Sequence, residues 1–146
     1  MEVPFGVIAI VGTAARVTSK TWSLSESWID APRDFHRLKD ELARIRLFFD
    51  ETKEGMMSNP ATTTGSRMPP PEDDLDRLLG MGADIMRQLE LIIDDLSGNE
   101  GLNEEGELRK RRRMTWMVNT NKISRLRSEL GDVASGICRL LIVRNV

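Results

Sequence analysis

Apolar and polar residues follow one period along this chain, a step of three to four, and they do so in four stretches separated by two polar segments. The first stretch covers about residues 4–28. Val7, Val11, Ala14, Val17, Thr21, Leu24 and Trp28 form its apolar stripe, and Thr13, Arg16, Lys20, Ser23 and Ser27 mark a polar face. Pro4 suits a first turn, where its missing N–H costs nothing. "WIDAPRDF" then breaks the chain, with Asp30 placed to cap a second helix that Pro32 helps to start. That helix, about residues 32–55, carries Phe35, Leu38, Leu42, Ile45 and Phe49 opposite Arg37, Lys39, Asp40, Glu41, Arg44 and Arg46.

"SNPATTTGSRMPPP", residues 58–71, buries too little to order itself and reads as a flexible loop. A third helix spans about residues 72–97. It opens on the acidic "PEDDLD" and turns Leu75, Leu78, Leu79, Ile85, Met86, Leu89, Ile92, Ile93 and Leu96 inward. Gly80 and Gly82 interrupt it at up to ~1 kcal/mol each, which predicts a bend or a close helix contact. Residues 97–113 read as a second loop, and a fourth helix covers about residues 114–143. Its stripe is Trp116, Ile123, Leu126, Leu130, Val133, Ile137, Leu140 and Leu141. Four such stripes bury one another best in an all-α, up-and-down four-helix bundle with an apolar N-terminal helix, one domain over residues 1–146. The expected core comprises Trp28, Phe35, Leu38, Leu42, Ile45, Phe49, Leu78, Ile85, Leu89, Ile92, Trp116, Ile123, Leu126, Leu130, Val133 and Ile137.

The first stretch is more apolar than a bundle helix needs. From Val3 to Ala15 there is no charge. A signal peptide fits poorly, because Glu2 stands where a basic residue belongs and the segment runs on into "RVTSKTWSLSES". A lone membrane span fails on length, since these residues reach roughly 20 Å against a hydrocarbon core of ~30 Å. Val3, Phe5, Val7, Ile8, Ile10 and Val11 are therefore the candidates for a segment that packs at rest and enters lipid on demand. The surplus over one packed face is placed at Val3, Phe5, Ile8 and Ile10.

Composition narrows the chemistry. A net charge of −2 with 30% charged residues describes an ordinary globular chain and offers nucleic acid no clearly positive face. Cys138 is the single cysteine and His36 the single histidine, so neither an intramolecular disulfide nor a soft-ligand metal site can be assembled, and a reducing compartment fits best. Asp73–Asp74, Asp94–Asp95 and Glu104–Glu105 are adjacent pairs whose members point apart on a helix, away from calcium-loop spacing. His36 reads as solvent-facing and Cys138 as a small buried hydrophobe. Trp22, Trp28 and Trp116 read as core or capping residues, and the methionines as packing filler. No catalytic residue, cofactor or metal is assigned.

Arg109, Lys110, Arg111, Arg112 and Arg113 form the one concentrated charge run, beside Met114 and Trp116. Such a run binds anionic headgroups at about 1 kcal/mol per cation when it adjoins a membrane element. It serves equally as a contact to the acidic stretch before it or to a further domain.

The apolar start, "WIDAPRDFHRLKDELARIRLFF" and "RRRMTWMVNTNKISRLRSELGDVASGICRLL" together resemble the HeLo-like N-terminal domains of fungal NLR and other STAND proteins, and equally the coiled-coil domains of plant NLR immune receptors. "MEVPFGVIAIVG" is similar to the "MAEPL"-like start of coiled-coil receptors in non-flowering plants, with Glu2 and Pro4 near the matching places. It departs from the leucine-rich pattern of flowering-plant receptors, and "PEDDLD" only loosely echoes their third-helix motif.

The resemblance implies a cell-death or immune-signalling domain, cytoplasmic at rest, ahead of downstream nucleotide-binding and repeat domains. It also implies self-association on activation and action at the plasma membrane, on anionic lipids, through the first helix. The end at "LLIVRNV" accordingly reads as a boundary inside a longer protein. A membrane-active module predicts that Val7→Glu with Ile10→Glu abolishes leakage and cell death without unfolding the bundle. A helical oligomerisation or adaptor module, the other reading, works through protein contacts alone.

Overall fold

The computed structural model describes residues 5–58, 72–98 and 105–145. They form four α-helices: α1 (Phe5–Ser27), α2 (Arg33–Ser58), α3 (Glu72–Ser97) and α4 (Glu105–Asn145). The expected loop over residues 59–71, and residues 99–104 of the second loop, lie outside the described residues. The remainder of the second loop is helical from Glu105, so α4 gains nine residues over the sequence expectation of Met114. "EGELRKRRR" shows no apolar stripe to read, yet its Glu, Leu, Lys and Arg are all good helix formers, and Glu105 and Glu107 sit at the positive end of the dipole.

Helix directions alternate. Leu42 O accepts from Thr18 Oγ1 and Trp28 stacks near Phe35, so α1 and α2 are antiparallel. Arg16 and Lys20 reach Glu90 and Asp94, which makes α1 and α3 parallel neighbours. Leu96 lies beside Arg112 and Leu78 beside Gly136, which makes α3 and α4 antiparallel. The closest packing is of α1 on α2, α1 on α3 and α3 on α4. α2 and α4 are joined mainly by side chains, Phe35 on Trp116 and Arg127 on Glu41.

This arrangement gives α1 neighbours on two sides and widens the arc it must bury. Ile10 and Thr13, assigned by the sequence pattern to a surplus apolar surface and a polar face, are both buried, while Val11 is only half-buried. Of the expected core, Ile45 and Leu78 are half-buried against it and the rest are buried. Gly82 is the close contact that the glycine pair foretells: a Cβ there would lie 2.6 Å from Ile10 Cδ1, whereas one on Gly80 meets nothing within 4 Å.

At one end, Trp28, Phe35 and Trp116 form an aromatic cluster with centroid separations of 5.1, 5.6 and 6.2 Å. It ties the end of α1, the start of α2 and the first half of α4 together around the turn at residues 28–32. There Ala31 N donates to Trp28 O at 3.2 Å, and the Pro32 carbonyl accepts from Phe35 N and His36 N. The Asp30 carboxylate, expected as a cap, faces Arg113 at 3.4 Å.

Candidate functional site

Two parts of the chain are candidates for function, the start of α1 and the basic run, and the fold sets them at opposite ends of the bundle. Gly6 lies against Leu79, and Gly136 against Leu78, at one end. Arg112 lies against Ser27 and Leu96 at the other. The length of α1 between Val7 and Ser27, 20 steps of ~1.5 Å, puts roughly 30 Å between them. A basic run adjoining an apolar segment at one membrane contact is thus not the resting arrangement.

At the α1 end, Val3 is outside the described residues and the surroundings of the Phe5 side chain are not described. Val7 and Ile10 are core residues, 1% and 0% exposed. Their stripe is the one facing α2 and α3, so they seal the bundle at rest. Ile8, by contrast, is 50% exposed. Glutamates at Val7 and Ile10 would bury unpaired charges and break the bundle, which corrects the expectation that this double substitution spares the fold.

The polar groups of α1 divide sharply. Thr13 Oγ1 donates to Ala9 O at 2.9 Å and Thr21 Oγ1 to Val17 O at 2.7 Å, each to the preceding turn of its own helix. Thr18 Oγ1 donates across to Leu42 O at 3.4 Å. The charged ties to α3 are confined to Arg16 and Lys20. Arg16 Nε donates to Glu90 Oε2 at 2.6 Å, and Lys20 Nζ lies 2.9 Å from Glu90 Oε2 and 3.0 Å from Asp94 Oδ1. Hydrogen bonding from Arg16, opposed in part by burial, holds the Glu90 carboxyl at about 2. The carboxylates in turn raise the pKa of both cations, the hydrogen bond to Glu90 being the largest cause.

In the basic run the five cations separate by helix face. Arg112 is buried, 6% exposed, and donates Nε to Leu96 O at 2.9 Å and Nη1 to Ser27 O at 3.3 Å. It closes the C-terminal ends of α3 and α1 at once, where the helix dipole favours a cation. Burial is the main cause lowering its pKa, with Asp30 opposing. Arg113 pairs with Asp30, and Arg109, Lys110 and Arg111 are exposed. Arg112 is therefore a structural residue, while Arg113 is exposed like Arg109, Lys110 and Arg111; spacing alone could not mark Arg112 out, because adjacent arginines are alike until a neighbouring helix end selects one.

Three further expectations change. Trp22 is half exposed with Lys39 Nζ 4.4 Å from its ring centroid, since it sits on the outer edge of the α1–α2 contact. Cys138 is exposed, turned one helical step away from buried Ile137. His36 is partly buried, its ring edge-on to Phe35 at 5.9 Å. Among the described residues no cluster of His, Cys, Asp or Glu could hold a metal ion, and no helix is long and apolar enough to cross a membrane. The chain matches no family model, no curated protein and no solved structure.

Proposed function

We propose that this chain is a cell-death or immune-signalling domain, of the kind found at the front of NLR-type receptors, in which α1 leaves the bundle on activation. Several copies then associate, and their first helices perturb the plasma membrane or line a cation-permeable pore. The observation that carries this reading is the division of polar groups along α1. From Phe5 to Ala15 the helix has no charge, and Thr13, like Thr21 further on, is satisfied within its own helix. Such a segment takes its hydrogen bonds with it, so its transfer to lipid leaves no side-chain donor stranded. What holds it back is apolar burial at Val7, Ile10, Ala14 and Val17 plus an ionic clasp at the solvent edge, both of which a second packing partner can replace. Since α1 is too short to span alone, the pore form requires several copies.

The test uses positions that face solvent in the bundle. Ile8→Glu with Gly12→Glu leaves the core untouched, because Ile8 is half exposed and a Cβ on Gly12 meets nothing within 4 Å. The expected result is an unchanged helical spectrum, loss of dye leakage from anionic vesicles, and loss of cell death in plant leaf or fungal cells. Full leakage and death in this folded variant would overturn the proposal. The complete burial of Val7 and Ile10 favours one other reading, an adaptor module that signals by protein contacts, and that reading predicts no leakage from the unaltered chain either.

A further inference from the structure

Among the described residues of α4 the large exposed apolar side chains are neighbours. Met114, Met117 and Val118 are 57%, 67% and 80% exposed, the last two standing three and four positions after the first. Lys110 and Arg111 precede them by one turn and Lys122 follows by one, all exposed and without a charged partner among the described residues. Arg112, amid the same turns, points the opposite way, to the ends of α1 and α3. The strip therefore lies on the outside of the bundle, on a helix whose close packing is with α3, while α1 packs on α2 and α3.

We propose that this outer strip of α4, Lys110, Arg111, Met114, Met117, Val118 and Lys122, docks the folded bundle side-on against an anionic lipid surface while α1 is still packed. The proposal rests on the membrane reading above and adds a separate surface to it, one that does not include the start of α1.

Charge complementarity selects the occupant. A chain of net charge −2 gathers three exposed cations, Lys110, Arg111 and Lys122, at the two ends of one apolar strip, and among the described residues Glu107 is the carboxylate that borders its basic start. The described residues bordering the shallow depression here, Glu107 to Asn119, all belong to α4, so the strip has no second wall. A planar, deformable headgroup layer needs no second wall. It accepts flexible methionine side chains at its apolar boundary and the cation heads among its phosphates. Docked this way, the bundle lies with its axis along the lipid plane, and Arg112, on the opposite side of α4, keeps its bonds to the ends of α1 and α3.

Co-flotation of the full chain with vesicles of phosphatidylcholine, with and without phosphatidylserine, tests the strip. The expected result is binding only with phosphatidylserine, weakened by salt, and reduced at least about tenfold by Lys110→Glu with Arg111→Glu. Met114→Ser with Met117→Ser should weaken it too, with an unchanged helical spectrum in both variants. Ile8→Glu with Gly12→Glu should bind as the unaltered chain does while failing to cause leakage. Undiminished flotation of both strip variants would overturn the docking surface and leave the α1 reading standing. Absence of flotation of the unaltered chain would also overturn it, and would assign the strip to an acidic protein partner. Leakage by the Ile8→Glu, Gly12→Glu variant would overturn the α1 reading alone.

Discussion

Arg112→Ala is the substitution that most directly probes how the bundle holds its first helix. The guanidinium is buried and donates to two carbonyls, Leu96 O at 2.9 Å and Ser27 O at 3.3 Å, the last turns of α3 and α1. A hydrogen bond from a charged donor contributes about 1.5–3 kcal/mol, and the longer bond to Ser27 belongs below that range. Two helix C-termini lose their favourable cation, at about 0.3–1 kcal/mol each, and the buried stem leaves a void. Against these stands the relief of a desolvated charge, the same burial that lowers the pKa of this group. The balance is a loss of about 2–3 kcal/mol, read as a fall of about 5–10 °C in the melting midpoint for a chain of this size. Urea unfolding followed by far-ultraviolet circular dichroism measures it. Arg111→Ala, one residue earlier and exposed, is the control and should stay within about 0.5 kcal/mol of the unaltered protein. Arg112→Met keeps the stem without the donors and should fall between them. Equal stability of the Arg112→Ala and Arg111→Ala proteins would refute the assignment of Arg112 as the tie between α1 and α3.

The glycines of α3 should respond in opposite directions to the same change. Gly80→Ala has open space and gains helix propensity, so it should stabilise by about 0.5–1 kcal/mol, while Gly82→Ala drives a methyl into Ile10 and Val133 and should destabilise by about 1–2 kcal/mol in the same urea titration. A stable Gly82→Ala protein would mean that α1 and α3 are not in close contact. Glu90 predicts an acid-sensitive clasp. Its folded pKa is depressed from an ordinary 4.5 to about 2, so its contribution is complete above about pH 4.5 and is lost as pH falls toward 2. Glu90→Gln should therefore lower the melting midpoint at pH 7 and make progressively less difference through that window. A midpoint difference independent of pH would count against the Arg16–Glu90–Lys20 arrangement.

Repeating steps of three and four were enough to give α1, α2 and α3 to within a few residues, because each must cover a buried face with apolar side chains and the pattern is the trace of that face. The start of α4 was not legible, because residues 105–113 extend along the bundle with little buried face and helix formation there follows from propensity and end charge. Which residues of α1 are core was only partly legible. A pattern shows that one side is apolar, but the width of the buried arc depends on how many helices flank it, and flanking by both α2 and α3 draws in Ile10 and Thr13.

The candidate site divides along the same line. The absence of charge from Val3 to Ala15 and the run of five cations are properties of the sequence alone, fixed by residue identity. Their separation along the axis, the burial of Arg112 and the outward turn of Met114, Met117 and Val118 depend on where the ends of α1 and α3 fall against α4. Those are contacts between residues as much as 85 positions apart. One-dimensional periodicity records which side of a helix is wet or dry, and only packing decides what stands on the other side.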